Sequence, residues 1–315
     1  MSRNDDVRRK LGAPKKFLPN VRLIRAIKYK DFKGARQALL DGADPNCVND
    51  EGHHILFLAF AYSDEILELL INWGDTNLFV NNGDHQNILH LLAQYGMNDL
   101  IIKVLDKGVD INSTDISSKT PLYYAIQFKQ FDTVKLFLDR NAVVDDEIIR
   151  CSIRNIDTEG NLQTFQLLME KYQVKIPRYS HLVKWTIEND NVVIFNYLNQ
   201  YYTEKVKNSI NFRCKDGATL LHRVNDITIA KILLGYGIDI NAVDTAGGNT
   251  AMFYLGDDSL ELAQLYLDYG IDLTIKNKQR LNVIQFMFKN KHPKLANLLK
   301  EWQDSVPDIK VPEDN

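Results

Sequence analysis

The sequence predicts an all-α solenoid of stacked helix–turn–helix units, and three observations carry that prediction. Two motifs recur at a fixed interval, helix start and stop signals frame them, and one interval is too short to bury its own apolar face. The first motif is an apolar pair, two further residues, a glycine and a short string ending in Asn. It reads ALLDGADPN at 38–46, VLDKGVDIN at 104–112 and LLGYGIDIN at 233–241. Weaker copies are LINWGDTNL at 70–78, FLDRNAVVD at 137–145 and YLDYGIDLT at 266–274. The second motif follows roughly ten residues later, as HILFLA (54–59), NILHLLA (87–93), TPLYYA (120–125), TLLHRV (219–224) and TAMFYL (250–255). Its starts at His54, Asn87 and Thr120 are 33 residues apart, and Thr219 and Thr250 continue the pattern.

Each element has a physical reason. Thr at the head of the second motif can cap a helix by accepting from a backbone N–H. Pro121 falls in the first helical turn, where no N–H is needed. The glycine of the first motif stands where a left-handed cap ends a helix. Units of this size stack on their neighbours into one continuous core.

These residues resemble the ankyrin repeat. That pattern runs Gly-x-Thr-Pro-Leu-His-x-Ala, a short helix, a turn, a second helix ending Leu-Leu, then Gly-Ala-Asp-x-Asn. Thr120, Pro121 and Leu122, with Leu89, His90 and Leu91, carry the first part, and Gly42 to Asn46 carry the second. The resemblance covers about residues 20–302, in nine units starting near 17, 50, 82, 115, 146, 178, 215, 244 and 277. It implies β-hairpin-like loops between helix pairs. Two middle units are degenerate, with DTEGN (157–161) and YYTEKVKNS (201–209) as insertions. One unit is about three residues short between His222 and Leu233. The expected organisation is a basic tail at 1–16, a solenoid at 17–302 with irregularity across 145–215, and a C-terminal tail at 303–315.

Composition sets outer bounds. The chain has 315 residues, 45% hydrophobic and 25% charged, which is ordinary globular composition. No apolar run approaches the roughly 18 residues a bilayer span needs. The polar, basic N-terminus lacks a secretory apolar core. Cys47, Cys151 and Cys214 are too scattered for a disulfide framework or zinc site and suggest a reducing, cytoplasmic compartment. Residues 1–30 hold ten Lys/Arg against two Asp, and the net charge is −3, so the other 285 carry −11. The acidic body argues against a nucleic-acid regulator. The arm RRKLGAPKK (8–16) reads first as a solvated tail, then as a nuclear-import segment or an anchor to an anionic surface.

No phosphate loop, HExxH, paired CxxC or nucleophile elbow is present, so the chain reads as a non-enzyme with no cofactor and no metal. His90 and His222 occupy the repeat's structural His position. His53, His54 and His85 lie near the first hairpins without a Cys or carboxylate pattern to make a metal site. Asp145 with Asp146 and Asp257 with Asp258 read as caps at turns.

The resemblance implies a concave face built from first helices and hairpin tips, with its exposed positions free to vary. Alignment puts Tyr29, Tyr62, Tyr95 and Phe128 at one such position in four consecutive repeats, each 33 residues from the next. The position before holds Lys28, Ala61, Gln94 and Gln127. Equivalent sites around Glu188 and Asp258 are acidic. Hairpin tips add Asp50, Glu51, Gly83, Asp84, Ile116 and Ser117, of which an exposed Ile116 is out of place unless it is a contact. The expected partner is another protein, bound by Tyr29, Tyr62, Tyr95, Phe128, Gln94, Gln127, Asp50, Glu51, Asp84 and Ile116. No small-molecule substrate is expected. The expected role is an adaptor; the resemblance implies a secreted bacterial effector acting on a host protein as one form of it, since ankyrin repeats are common among such proteins, and the composition, rich in Asn, Ile, Lys and Tyr, looks like that of an AT-rich genome. The alternative is an enzyme with its site in residues 145–215.

Overall fold

The computed structural model describes residues 17–154, 160–172 and 179–305. The chain divides between Ile148 and Ile149 into two compact units, and both are all-α stacks of helix–turn–helix repeats. In the first unit four pairs follow one another: α1 (Phe17–Lys28) with α2 (Phe32–Leu40), α3 (Ile55–Tyr62) with α4 (Asp64–Asn72), α5 (Ile88–Tyr95) with α6 (Asn98–Asp106), and α7 (Pro121–Gln127) with α8 (Phe131–Asp139). First helices pack on first helices, α1 on α3 and α5 on α7. Second helices pack on second helices, α2 on α4, α4 on α6 and α6 on α8.

The helix boundaries follow from the motifs. Thr120 Oγ1 accepts from Tyr123 N at 3.4 Å with Pro121 at the first helical position. Asn87 caps α5 in a box shared with His90, and His54 caps α3 through Nδ1. The motif glycines Gly42 and Gly108 have φ of +87° and +86°, a region that costs an L-residue about 1–2 kcal/mol. In the weaker copy at 137–145, Asn141 takes this position at φ +61°. In the copy at 70–78 the helix ends on Trp73 in extended conformation instead.

The Asn that closes the first motif joins successive loops. Asn46 Nδ2 donates to Asp75 O at 2.8 Å, and Asn46 Oδ1 accepts from Asn77 N at 2.7 Å. Asn112 Oδ1 accepts from Val143 N, and in the second unit Asn241 Oδ1 accepts from Asp272 N, both at 2.8 Å. The hairpin-like loops are held the same way. Asn49, Asn82 and Asp115 each accept from two backbone N–H groups of their own tip. Neighbouring tips then join through the main chain, with Ile116 N donating to Asp84 O at 3.0 Å. Fully buried Ile55, Leu56, Ile66, Leu67, Leu70, Ile88, Leu89 and Phe137 form the core between the helix layers. Each such side chain contributes about 1.5–3 kcal/mol by burial.

The division between units falls within α9 (Asp146–Arg154). The second unit contains α10 (Gly160–Tyr172), α11 (Tyr179–Glu188), α12 (Val192–Tyr201), α13 (Thr203–Lys207), α14 (Ile227–Gly235), α15 (Leu260–Asp268), α16 (Val283–Lys289) and α17 (Pro293–Ser305). Two of its first helices are reduced to single 3₁₀ turns, Leu220–Arg223 and Ala251–Tyr254. First elements still stack in order, α11 on the first turn, that turn on the second, and the second turn on α16. Second helices α10, α12, α14, α15 and α17 form the other layer. The unit expected to be three residues short loses them from its first helix. The insertion at 201–209 forms the extra helix α13, while most of the insertion at 157–161 and the basic arm at 8–16 lie outside the described residues.

Candidate functional site

The face made by first helices and hairpin tips in residues 17–148 is the candidate site. Tyr62 and Tyr95 are the last residues of α3 and α5, Phe128 caps α7 and Tyr29 follows α1. Each stands three residues beyond a buried side chain, respectively Ala59, Leu92, Ala125 and Ala26, where the helix ends. The four rings are exposed: Tyr29 by 75%, Tyr62 by 42%, Tyr95 by 61% and Phe128 by 43%. Rings at this position could instead pack on one another and shield the core, but no ring contact joins two of the four. Tyr95 is braced from behind by Phe60, edge to face at 5.4 Å between centroids. The Arg25 guanidinium lies 5.7 Å from the centre of the Tyr29 ring.

The other candidates fall around this ladder. Lys28, Ala61 and Gln127 are exposed and Gln94 is half-buried. Asp50, Glu51, Gly83, Asp84 and Ser117 are exposed at the tips, and Ile116 is 70% exposed. Glu51 Oε2 lies 3.2 Å from His53 Nδ1. A shallow cleft of about 420 Å³ lies beside Tyr29, floored by Ala26 and Ala38 and rimmed by Arg22, Arg25, Gln37 and Asp41. The Arg22–Asp41 pair at 3.2 Å makes this rim polar.

The histidines do structural work. His90 Nε2 bonds to Lys119 O at 3.1 Å and His222 Nε2 to Asn249 O at 3.0 Å, each tying one repeat to the next. Burial lowers both pKa values, which favours the neutral ring. His54 caps a helix, and among the described residues no group of His, Cys, Asp or Glu could hold a metal. Asp145 Oδ1 accepts from Ile148 N and Asp257 Oδ1 from Leu295 N, both at 2.9 Å.

A clamp that motif reading missed accompanies each histidine. Tyr124 donates its hydroxyl to Asp115 Oδ2 at 2.5 Å, and Tyr254 donates to Asp244 Oδ2 at 2.7 Å. The His90 and Tyr124 rings meet edge-on at 5.8 Å, as do His222 and Tyr254. Burial works to raise the Asp115 carboxyl, but bonds from Tyr124 and from the Lys119 and Ser117 amides outweigh it and hold it low. Tyr124 is pushed up to about 12, by burial first and then by Asp115. The available signal was the 33-residue spacing of Asn49, Asn82 and Asp115, which marks the hairpin start.

Residues 23–115 and 62–148 match the family model of ankyrin repeats. An ankyrin repeat protein of Acanthamoeba polyphaga mimivirus is 25% identical over 245 residues, covering 74% of this chain and 27% of the viral protein. One from Fowlpox virus is 25% identical over 255 residues, covering 68% of this chain and 45% of its own. The B-cell lymphoma 3 protein homolog of Mus musculus is 28% identical over 112 residues, covering 34% of this chain and 25% of that protein. The chain thus spans less than half the length of these relatives. Ankyrin repeats mark a protein–protein interaction domain. Residues 23–148 thus belong to the ankyrin-repeat family, and the same motif wiring recurs in the second unit.

Proposed function

We propose that this chain is an adaptor that holds another protein on the first-helix face of residues 17–148, with no catalytic step of its own. The observation that carries the reading is the aromatic ladder: Tyr29, Tyr62, Tyr95 and Phe128 recur at one position in four repeats and all are exposed. Aromatic side chains dominate interface hot spots, and a rigid repeat stack presents them already ordered, which lowers the entropy lost on binding. The acidic tips Asp50, Glu51 and Asp84 and the exposed Ile116 flank the same face.

An active site in residues 145–215 has less behind it. Cys151 and Ser152 there are buried, and Ser152 Oγ donates to Ile149 O at 2.7 Å. Cys47, Cys151 and Cys214 form no disulfide, which supports a reducing compartment such as the cytoplasm. Among the described residues no helix is long and apolar enough to cross a membrane. The bacterial-effector form of the reading has only family analogy behind it.

Quantitative capture tests the proposal. The full chain and its Tyr62→Ala/Tyr95→Ala/Phe128→Ala variant would be compared as baits in the same cell extract. The variant should lose at least about tenfold of the specifically retained protein, since single hot-spot truncations cost about 2 kcal/mol or more. Equal retention by both baits refutes the ladder as the binding surface.

A further inference from the structure

We infer that the two inner rungs, Tyr62 and Tyr95, together with the cleft between α4 and α6, take an arginine-bearing segment of the partner. This rests on the adaptor reading and adds the chemistry of what is held.

From Gln37 to Ile102 the chain holds ten Asp or Glu and no Lys or Arg, in a protein with 38 Lys and Arg in all. Both inner rungs fall inside that stretch. The cations around it are engaged or stand elsewhere. Lys103 Nζ donates to Glu68 Oε1 at 2.5 Å, and Lys107 Nζ donates to Ile71 O at 2.6 Å. Lys33 and Arg36 belong to α2, which packs on α4 from the side away from α6, and they form no ion pair among the described residues. Lys28 and Lys30 flank Tyr29 and Lys129 flanks Phe128, so cations stand beside the outer rungs only.

The acidic stretch has a shaped recess. An open cleft of about 710 Å³ lies between the N-terminal turns of α4 and α6, which pack on each other. Asp64, Glu65 and Glu68 line it from α4 and Asp99 from α6, with half-buried Met97 and Ile102 between them. Glu68 is paired with Lys103, whereas the exposed Asp64, Glu65 and Asp99 have no partner among the described residues. The rungs adjoin the cleft through the chain: Asp64 stands two residues after Tyr62, and Gly96, which also lines it, follows Tyr95. Tyr95 reaches back to the second repeat, where its ring meets Phe60 of α3. Acids in a first turn favour their own helix by facing the positive end of its dipole. That does not explain why no cation from Gln37 to Ile102 balances them.

The first rung shows which cation fits. Arg25, one turn before Tyr29, sets its guanidinium 5.7 Å from the ring centre. One turn before Tyr62 and Tyr95 stand Leu58 and Leu91, so the inner rings carry no cation of their own. A guanidinium stacks on an aromatic face and presents a planar fork of N–H donors that matches a carboxylate, whereas the lysine ammonium is a compact, strongly hydrated charge. An arginine from the partner therefore meets ring and carboxylate together, and an acidic segment meets repulsion.

Panning a display library of random peptides of about twelve residues against the full chain tests this. Three variants serve as counter-selections: Tyr62→Ala/Tyr95→Ala for the rings, Asp64→Asn/Glu65→Gln/Asp99→Asn for the cleft, and Asp50→Asn/Glu51→Gln/Asp84→Asn, which removes the same charge from the hairpin tips. Circular dichroism would confirm that each is folded. Retained peptides should be enriched severalfold in arginine. Synthetic copies should lose about tenfold in affinity against the ring or the cleft variant, and about tenfold when their arginines become Gln, but less than about twofold against the tip variant. Ring-dependent peptides that lack arginine, that ignore the cleft variant, or that lose as much against the tip variant overturn the inference and leave the adaptor reading standing. No ring-dependent enrichment overturns both.

Discussion

The two units share one wiring and differ most in their first helices, two of which shrink to single turns in the second unit. In both, a histidine reaches the next repeat's backbone, a tyrosine clamps the hairpin aspartate and an Asn joins successive loops. In the first unit α3 and α5 each run eight residues and end on an exposed tyrosine. In the second unit the equivalent elements at Leu220–Arg223 and Ala251–Tyr254 stop after four. A 3₁₀ turn of that length never reaches the rung position. Where the second unit does have long first helices, α11 and α16, Asn189 and Asn290 stand at the rung register. Stacking needs only the hairpin and the buried half of the first helix, so shortening leaves the fold intact and removes the aromatic platform.

Core truncation should have the largest effect and should report each unit separately. Phe137→Ala in the first unit and Phe195→Ala in the second each remove a fully buried ring and should cost about 3–5 kcal/mol. Hydrogen exchange should show protection lost mainly in the unit that carries the change. Equal loss throughout the chain would mean that the two units unfold as one.

The shared wiring predicts equal costs in the two units. Tyr124→Phe and Tyr254→Phe each remove one hydroxyl from a hairpin carboxylate and should destabilise by about 1–3 kcal/mol, as followed by denaturant unfolding. A large cost in one and none in the other would break the equivalence. Gly108→Ala and Gly237→Ala place a side chain at φ +86° and +84° and should cost about 1–2 kcal/mol each. The contrast is position 141, where Asn already tolerates the left-handed conformation, so Asn141→Gly should change stability by only a few tenths.

The smallest expected effect is on pH dependence. Burial lowers His90 and His222 from 6.5, so the unfolded chain takes up protons first as pH falls. Their contribution is complete above about pH 6.5 and declines below it. Asp115 and Asp244 are lowered from 3.8 despite burial, because hydrogen bonds to their carboxylates outweigh it. Their contribution holds above that value and is lost as pH falls through the lower folded values. Melting curves should therefore fall in two separate acid ranges, and replacing both histidines by Gln should shrink only the upper one, where His54, also lowered by burial, remains.

Much of this was legible in the sequence. Repeat spacing located the helix pairs because caps such as Thr120 and Gly108 act locally, within one turn of where they stand. The ladder was legible because its position is fixed by the same 33-residue count. The clamps were not, since the Tyr124–Asp115 bond belongs to no general motif and depends on how one hairpin curls over its own helix. The replacement of α-helix by 3₁₀ turn was only half visible. Three missing residues announced it in the unit of His222, but the unit of Thr250 keeps its length and shortens its helix anyway, with Gly256, Asp257 and Asp258 in the space.

Site-specific photo-crosslinking tests most directly whether the first unit's ladder is where a partner binds. A benzophenone amino acid would replace Tyr62 or Tyr95 in one set of chains and Glu188 or Asp258 in another, each exposed to the same extract. The account predicts discrete adducts from the first set and none from the second. Adducts from Glu188 or Asp258 with none from the ladder would contradict it.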